Sequence, residues 1–326
     1  EAFERTKKRW IEAGLDTKGL DELTDDPIVN PKGEVNKKIT YAAMVEEMDL
    51  SLVDVLDALE QTGELQNTYI IFTSDNGGGY AENRKVDGGI RRFNGPLQEG
   101  KRSIFEGGIR VPTVISGPGI KAGSQCDVPI VQWDFLQTFY DLAGGSVPLP
   151  EDLDGGSLRD VFEKGDRGKV IRNTKDLIFH FPWHTGVAES VIRSGKYKLR
   201  KDLDSLEIEL FDLDKDLGEN DNLASDMPGL VRKLDKKRAN YLEEVNAETV
   251  TLTRRNYVEL LEGGWIENGK KRLAKLKAEL VADPSNKQKA FQVEISQNHV
   301  NFQDKQLERS LRLIRMHEER GTAEKN

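Results

Sequence analysis

The sequence predicts an α/β domain that is followed by a smaller antiparallel-sheet subdomain and a charged helical extension. Three observations along the chain predict this order. An amphipathic helical stretch leads into a strand that is apolar on both faces, the spacing of apolar residues changes from about residue 175, and charged residues dominate after residue 250. We therefore divide the chain into residues 1–170, 171–248 and 249–326.

The first part begins with a short predicted helix near Glu4–Ala13 and continues with a longer one. The longer helix is expected to start at Thr40, a suitable N-cap, and to stop at Gly63. Its apolar residues recur every 3.6 positions, which predicts one stripe that faces the core. The members of this stripe are Tyr41, Met44, Val45, Met48, Leu52, Val55, Leu56 and Leu59.

Two strands and a further helix are predicted after this stretch. Residues 68–74 (TYIIFTS) are β-branched, aromatic and apolar on both faces, which is typical of a buried parallel strand. Residues 110–117 predict a second strand, and residues 129–145 predict a helix that ends at two glycines. A helix followed by a buried strand is half of an α/β unit.

The second and third parts of the chain have different patterns. The stretches DLIFHF, ESVIRSG, YKLRKDL and EIELFDL predict four short antiparallel strands, and residues 227–245 predict an amphipathic helix that covers them. After residue 249 the leucine stripes are too short for a coiled coil, which needs three or four heptads. We expect a charged helical extension that packs on the body.

Composition excludes several classes of partner. With 48 Lys and Arg against 57 Asp and Glu, the formal net charge is −9. A nucleic-acid partner is therefore not expected, because it needs a basic surface. No apolar run approaches the roughly 20 residues of a membrane span. Cys126 is the only cysteine, so no intrachain disulfide can form.

The segment SDNGGG at residues 74–79 is the strongest candidate for a site. Asp75 and Asn76 follow the predicted buried strand, and ligand crevices of α/β sheets lie beyond the carboxyl ends of strands. Carboxylate and amide oxygens are hard ligands that suit Ca²⁺ or Mg²⁺. The three glycines let a ligand or a backbone approach closely. The alternative is a simple turn at the strand end, because Asp, Asn and Gly all favour turns.

A longer run downstream carries a family resemblance. The stretch NGPLQEGKRSIFEGGIRVP, at residues 94–112, together with the SDNG strand end, resembles the sulfatase family, the arylsulfatase-like branch of the alkaline phosphatase superfamily. ESVIRSGKYKLR and ELFDLDKDLGENDNLA resemble its C-terminal strands, so the resemblance covers residues 40–245. It implies the C-terminal part of an alkaline-phosphatase-like α/β sandwich. It also implies hydrolysis of sulfate monoesters, sulfated glycans among them, and a periplasmic or secreted location.

The resemblance also implies roles for particular residues. Asp75 and Asn76 match the two strand-end ligands of a Ca²⁺ ion, with Mg²⁺ as an alternative, and Lys101 matches the catalytic lysine that contacts the sulfate. The alternative for Lys101 is an exposed loop lysine. Glu106 and Arg110 are expected to brace the loop through a buried ion pair, and the alternative is that Arg110 holds the sulfate through two hydrogen bonds.

Further candidates come from the residues themselves. His184 lies on a predicted loop beside Trp183 and is a candidate for the rim of the substrate site. Arg193, Lys196 and Lys198 form a local positive cluster. A solvated strand face explains this cluster, and contact with an anionic glycan is the alternative.

Parts of the family pattern are absent from the sequence. These are the N-terminal acidic metal ligands, an H-x-P run, and the C-x-P-S-R run whose cysteine becomes the formylglycine nucleophile. Two ligands cannot hold Ca²⁺ tightly, because the ion takes six to eight oxygens. We therefore expect a C-terminal portion of a sulfatase that carries part of the site and is inactive alone. The alternatives are a phosphate-ester or phosphonate hydrolase of the same superfamily, and a non-catalytic interaction module.

Overall fold

The computed structural model describes residues 1–15, 34–79, 85–86, 89–90, 94–182 and 188–323. These residues separate into two units, residues 1–71 with 114–125, and residues 72–113 with 126–326. The division into three parts made from the sequence stays a prediction. Within the described ranges, no helix is both long enough and apolar enough to cross a membrane.

Two helices form most of the first unit. Helix α1 (Ala2–Glu12) packs against helix α2 (Glu34–Thr62), with Phe3 and Ile39 buried against each other. Helix α2 begins six residues before Thr40, so the predicted N-cap is wrong. Packing against α1 stabilises the added turns, as tertiary burial commonly does for helices. The predicted stop is confirmed, because Gly63 follows the last turn with φ +75°.

The apolar stripe of α2 does not face the core of this unit. Tyr41 and Met44 are 65% and 63% exposed, and Met48 and Val55 are also exposed. The prediction of a buried stripe is therefore wrong for the described structure. Helix α1 contacts another face of α2, and there Glu46 receives hydrogen bonds from side chains of α1.

A pair of strands and a helix follow. Strands β1 (Ile70–Thr73) and β4 (Thr113–Ser116) pair with each other, which confirms both predicted strands with shorter bounds. All four residues of β1 are half-buried, so the prediction that this strand is buried is wrong. Between them along the chain lie two antiparallel strands of two residues each, β2 (Lys85–Val86) and β3 (Gly89–Ile90). A single helical turn, α3 (Glu106–Ile109), follows them. Helix α4 (Asp134–Leu142) confirms the predicted helix, and α5 (Arg159–Lys164) is a short helix after it.

Four antiparallel strands form the sheet predicted for the next part. They are β5 (Leu177–Phe181), β6 (Glu189–Ser194), β7 (Tyr197–Asp202) and β8 (Ile208–Asp212), in that spatial order. Helix α6 (Pro228–Glu244) covers one face of the sheet. Its Leu234 is buried against Ile192, Leu199 and Leu210, which confirms the covering helix.

The helical extension comprises α7 (Val250–Leu260), α8 (Ile266–Ala282) and α9 (Lys287–Ala323), with a π-helical turn between α7 and α8. Helices α8 and α9 run antiparallel, as the pairs Lys270–Asp304 and Lys277–Gln297 require.

The extension packs on the sheet through one turn. The fully buried Arg254 donates two hydrogen bonds, of 2.8 and 2.7 Å, to Asp204 in the β7–β8 turn. Nε2 of His317 lies 3.5 Å from the same carboxylate. His317 is half-buried, because α9 folds back onto this turn.

Candidate functional site

Residues from the SDNGGG segment and from the downstream loop line one cavity. This cavity of 380 Å³ lies in the unit of residues 72–113 and 126–326. Asp75, Asn76 and Lys101 all line it, and so do Thr73 and Thr113 from the adjacent ends of β1 and β4. The side chains of Asp75 and Lys101 are exposed, and that of Asn76 is half-buried. The three residues singled out in the sequence therefore share one site.

The first two of these residues present oxygen atoms. Asn76 Nδ2 donates a 2.8 Å hydrogen bond to Asp75 Oδ1, which fixes the amide beside the carboxylate. In the part of the chain that the structure describes, Asp75 Oδ2 and Asn76 Oδ1 have no hydrogen bond. Both atoms are thus available to a hard cation or to water.

Glycines let two loops approach each other here. Gly77 N donates a 2.8 Å hydrogen bond to Gly108 O, and Lys101 N donates one of 2.9 Å to Gly78 O. A Cβ atom on Gly77 would lie 1.7 Å from Gly107 O, which no packing can accept. The segment SDNGGG therefore carries Gly77 because the backbone of the next loop lies directly against it.

Lys101 lies in a short, strained turn. Glu99 and Arg102, two and one residues away, have φ of +57° and +79°, which non-glycine residues rarely adopt. Asn94 Nδ2 donates a 2.8 Å hydrogen bond to Glu99 O and holds this conformation. Such strain costs of order 1 kcal/mol per residue and is often found where a side chain must be aimed.

A buried charge cluster lies at the other end of the loop. Lys198 is fully buried, and its Nζ lies 2.9 Å from Glu106 Oε1 and 2.7 Å from Glu219 Oε1. Glu219 Oε2 also accepts a 2.6 Å hydrogen bond from Glu106 N. Arg110 Nε donates a 2.7 Å hydrogen bond to Glu106 Oε2. This confirms the expected Glu106–Arg110 pair, although Arg110 is itself 38% exposed.

The pKa values of the two carboxyl groups in this cluster are shifted in opposite directions. Burial raises the pKa of Glu219, and the nearby Lys198 does not fully offset that effect. Burial acts the same way on Glu106, but the charges and hydrogen bonds of Lys198 and Arg110 together lower its pKa below the ordinary value. Lys198 and Arg110 therefore favour the charged form of Glu106, whereas burial disfavours the charged form of Glu219.

The loop also rests on the sheet through β6 and β7. Glu189 Oε2 accepts a 3.2 Å hydrogen bond from Ile104 N, and its Oε1 accepts one of 3.0 Å from Arg200 Nε. The Arg200 guanidinium lies 4.4 Å from the centre of the Phe105 ring. The antiparallel sheet thus fixes the loop that presents Lys101.

The positive cluster predicted on β6 and β7 was placed wrongly. Lys198 does not lie on a solvated face, because it points inward to two carboxylates. Lys196 is half-buried and pairs with Asp212 at 2.7 Å. Sequence reasoning missed Glu219 and the burial of Lys198. Both residues lie in segments that resemble the family, and the spacing alone gave no sign of burial.

Aromatic residues also line the cavity, and the sequence reasoning missed them. Trp133 and Phe179 pack at 5.6 Å between ring centres with a tilt of 55°. Phe135 and Phe181 line the cavity as well. The alternation of Phe179 and Phe181 along one strand was the available signal. His184, the predicted rim residue, lies outside the described residues.

No complete metal centre exists among the described residues. They contain no group of three or more His, Cys, Asp or Glu side chains that could hold an ion. The pair Asp75 and Asn76 is chemically suited to a hard cation and fits part of a Ca²⁺ or Mg²⁺ site, with the remaining oxygens still to be supplied.

Comparison with known proteins shows which family the chain resembles. The sulfatase family profile matches residues 10–146, and the profile of the C-terminal region of N-sulphoglucosamine sulphohydrolase matches residues 99–247. A sulfatase of Formosa agariphila is 31% identical over 234 residues, which cover 64% of this chain and 40% of that protein. Human arylsulfatase K is 32% identical over 212 residues, which cover 62% of this chain and 36% of that protein.

A solved structure gives the same answer for the fold. Ps i-CgsB in complex with k-i-k-neocarrahexaose superposes with a TM-score of 0.52 and 25% identity, over 67% of this chain and 46% of that one. The fold is thus the C-terminal part of an alkaline-phosphatase-like α/β sandwich with a small antiparallel subdomain. The chain is similar to sulfatase-family proteins over residues 10–247. It spans 40% or less of the length of the two curated relatives described above.

Proposed function

We propose that this chain contributes the C-terminal part of a site that hydrolyses sulfate monoesters, sulfated glycans among them. The observation that carries this proposal is the convergence of Asp75, Asn76 and Lys101 on one cavity. The family relationship supports the reaction class. The glycan-bound neighbour Ps i-CgsB supports the substrate class.

In this proposal Asp75 and Asn76 are metal ligands. Their oxygens Oδ2 and Oδ1 would hold one side of a Ca²⁺ ion, with Mg²⁺ as the alternative, and further oxygens would complete the shell. A bound ion would polarise the sulfate, and a formylglycine would supply the nucleophile in the complete enzyme. The hydrogen bond between the two side chains holds the amide of Asn76 beside the carboxylate of Asp75.

Lys101 is the catalytic residue that this chain supplies. Its ammonium group carries three donors on a flexible stem, which suits a tetrahedral anion. Its positive charge stabilises the negative charge that develops on the leaving oxygen as the S–O bond breaks. The backbone hydrogen bond from Lys101 N to Gly78 O fixes the stem beside the metal ligands. His184 is proposed to lie at the substrate rim.

The test is steady-state kinetics on an enzyme that contains this chain and the rest of a sulfatase domain. Lys101→Ala should lower kcat/KM by about 10²–10³-fold, or about 2.7–4 kcal/mol, as for loss of one preorganised oxyanion donor. Lys101→Arg should restore little, because a planar fork does not occupy the same position.

A matched control separates chemistry from folding. Lys175 is also exposed and does not line the cavity, so Lys175→Ala should leave kcat/KM unchanged. A Lys101→Ala rate within about twofold of wild type would contradict the assignment. So would an activity loss that only follows a fall in melting temperature. A higher kcat/KM for a phosphate monoester than for a sulfate monoester would indicate a phosphate-ester hydrolase instead of a sulfatase.

A further inference from the structure

The aromatic wall of the cavity has no part in the chemistry described so far. We propose that Trp133, Phe179 and Phe181 bind the carbon skeleton of the ester, by stacking on the apolar face of the sugar or aryl ring that carries the sulfate. The inference rests on the proposed function, because Lys101 and the metal ligands define where the sulfate lies.

The composition of the two walls supports this assignment. The charged and amide lining residues Asp75, Asn76, Lys101 and Arg102 are here called the polar wall, and the aromatic lining residues Trp133, Phe135, Phe179 and Phe181 the aromatic wall. The other apolar lining residues are Ile104, Ile109, Val111, Ile130 and Val131. A volume of 380 Å³ is within the range of small-ligand pockets and accommodates about one ring with its sulfate.

The strand geometry explains why two phenylalanines reach the same wall. Side chains alternate along a strand, so Phe179 and Phe181 of β5 share one face and His180 points to the other. There His180 Nε2 forms a 2.8 Å hydrogen bond with Glu248 O. Strand β5 is the first strand in the order of the four-stranded sheet.

The tryptophan is held rigidly beside them. The next residue, Asp134, is fully buried and receives two hydrogen bonds from Arg172, of 2.7 and 2.6 Å. A Cβ atom on Gly155 would lie 2.1 Å from Trp133 O, so another backbone segment lies against this carbonyl. The backbone that carries the Trp133 ring is therefore fixed, and 39% of the residue remains exposed.

A hydrogen bond also connects the two walls. The side-chain amide of Gln132 donates to the carbonyl oxygen of Ser74. Gln132 precedes Trp133 and Ser74 precedes Asp75, so the contact fixes the aromatic wall relative to the proposed metal ligands. A ring stacked on Trp133 consequently has a defined distance to the sulfate position.

The wall predicts a specificity. A flat ring with an apolar face gains binding free energy by stacking on the aromatic wall, whereas inorganic sulfate contacts only the polar wall. A second anionic group on the stacked face would lose its hydration without finding a cation there. We therefore expect a preference for rings whose only anionic group in this cavity is the scissile sulfate.

The experiment compares an ester with inorganic sulfate in the enzyme that contains this chain. Trp133→Leu and Phe181→Leu keep apolar volume and remove the ring face. Each should raise the KM for 4-nitrophenyl sulfate and for a monosulfated monosaccharide about three- to tenfold. The Ki of inorganic sulfate as a competitive inhibitor should change less than twofold. Trp265→Leu is the control, because Trp265 is 51% exposed on the helical extension and does not line the cavity.

Each outcome separates this inference from the proposed function. Unchanged KM for both esters in Trp133→Leu and Phe181→Leu would overturn the aromatic wall and leave the role of Lys101 intact. Equal weakening of ester and inorganic sulfate would also overturn it, because the wall would then act through packing alone. No effect of Lys101→Ala on either ligand would instead refute the proposed function itself. If one of the two leucine variants has a lowered melting temperature, the KM and Ki values of the other variant decide the test.

Discussion

Replacing Lys198 by methionine should destabilise the second unit strongly. Methionine has a similar length and no charge, so the variant leaves Glu106 and Glu219 buried without their shared cation. Removing one partner of a buried ion pair costs about 3–5 kcal/mol, mostly because the remaining charge is uncompensated. For a unit of this size, that loss corresponds to a melting temperature lower by about 6–20 °C.

The neighbouring Lys196 provides a matched control. It lies two residues away, pairs with Asp212 at 2.7 Å, and keeps 39% of its side chain exposed. Solvent screens such a pair, so Lys196→Met should lower the melting temperature much less than Lys198→Met does. Calorimetric melts of the two variants in the same buffer measure the difference. Equal melting temperatures for the two variants would refute the view that Lys198 compensates buried charge.

The effect of Lys198→Met should also depend on pH. Glu106 has a lowered pKa in the folded wild type, so it adds stability above its ordinary pKa of 4.5 and loses it as the pH falls further. Without Lys198 the pKa of Glu106 rises, and the variant lacks that contribution. The gap between the melting temperatures of wild type and variant should therefore narrow as the pH falls below about 4.5, where the wild type loses the contribution of Glu106. A gap independent of pH would mean that packing alone explains the loss.

Two further predictions concern the SDNGGG segment. In the enzyme with a complete site, Asp75→Ala should weaken Ca²⁺ affinity and activity together, and Asn76→Ala should do so less, because it removes a neutral oxygen; titration calorimetry that shows unchanged affinity for Asp75→Ala would exclude this ligand. Gly77→Ala should cost about 1–3 kcal/mol or more in thermal unfolding, since its Cβ would lie 1.7 Å from Gly107 O. Gly79→Ala, with no described atom within 4 Å of its Cβ, should cost less, and equal costs would contradict the packing argument.

Periodicity alone could predict the elements whose packing is local. Alternation identified the four antiparallel strands, and the helical spacing identified the helix that covers them with Leu234. The start of α2 could not be predicted, because its first turns depend on Phe3, a residue more than thirty positions away. Tertiary contacts of this kind override a good N-cap such as Thr40.

The candidate site could be predicted only in part. The resemblance selected Asp75 and Lys101, and the structure places both on one cavity. The burial of Lys198 could not be predicted from the sequence. The alternation of side chains along a strand does not show which face contacts a carboxylate from another segment. The aromatic wall was missed for a similar reason, since Trp133 and Phe179 are distant along the chain and meet only in three dimensions.

The turn at Asp204 has a consequence for synthesis on the ribosome. Its carboxylate pairs with Arg254, 50 residues later, and its backbone oxygen accepts a hydrogen bond from Arg320, 116 residues later. At about 5–20 residues per second, Asp204 leaves the ribosome roughly 6–23 s before Arg320 does. The hairpin that carries it must persist through that interval without its last partner. Closure of α9 onto the turn is thus among the latest steps of folding, and a chain shortened within α9 would lack the contact that completes it.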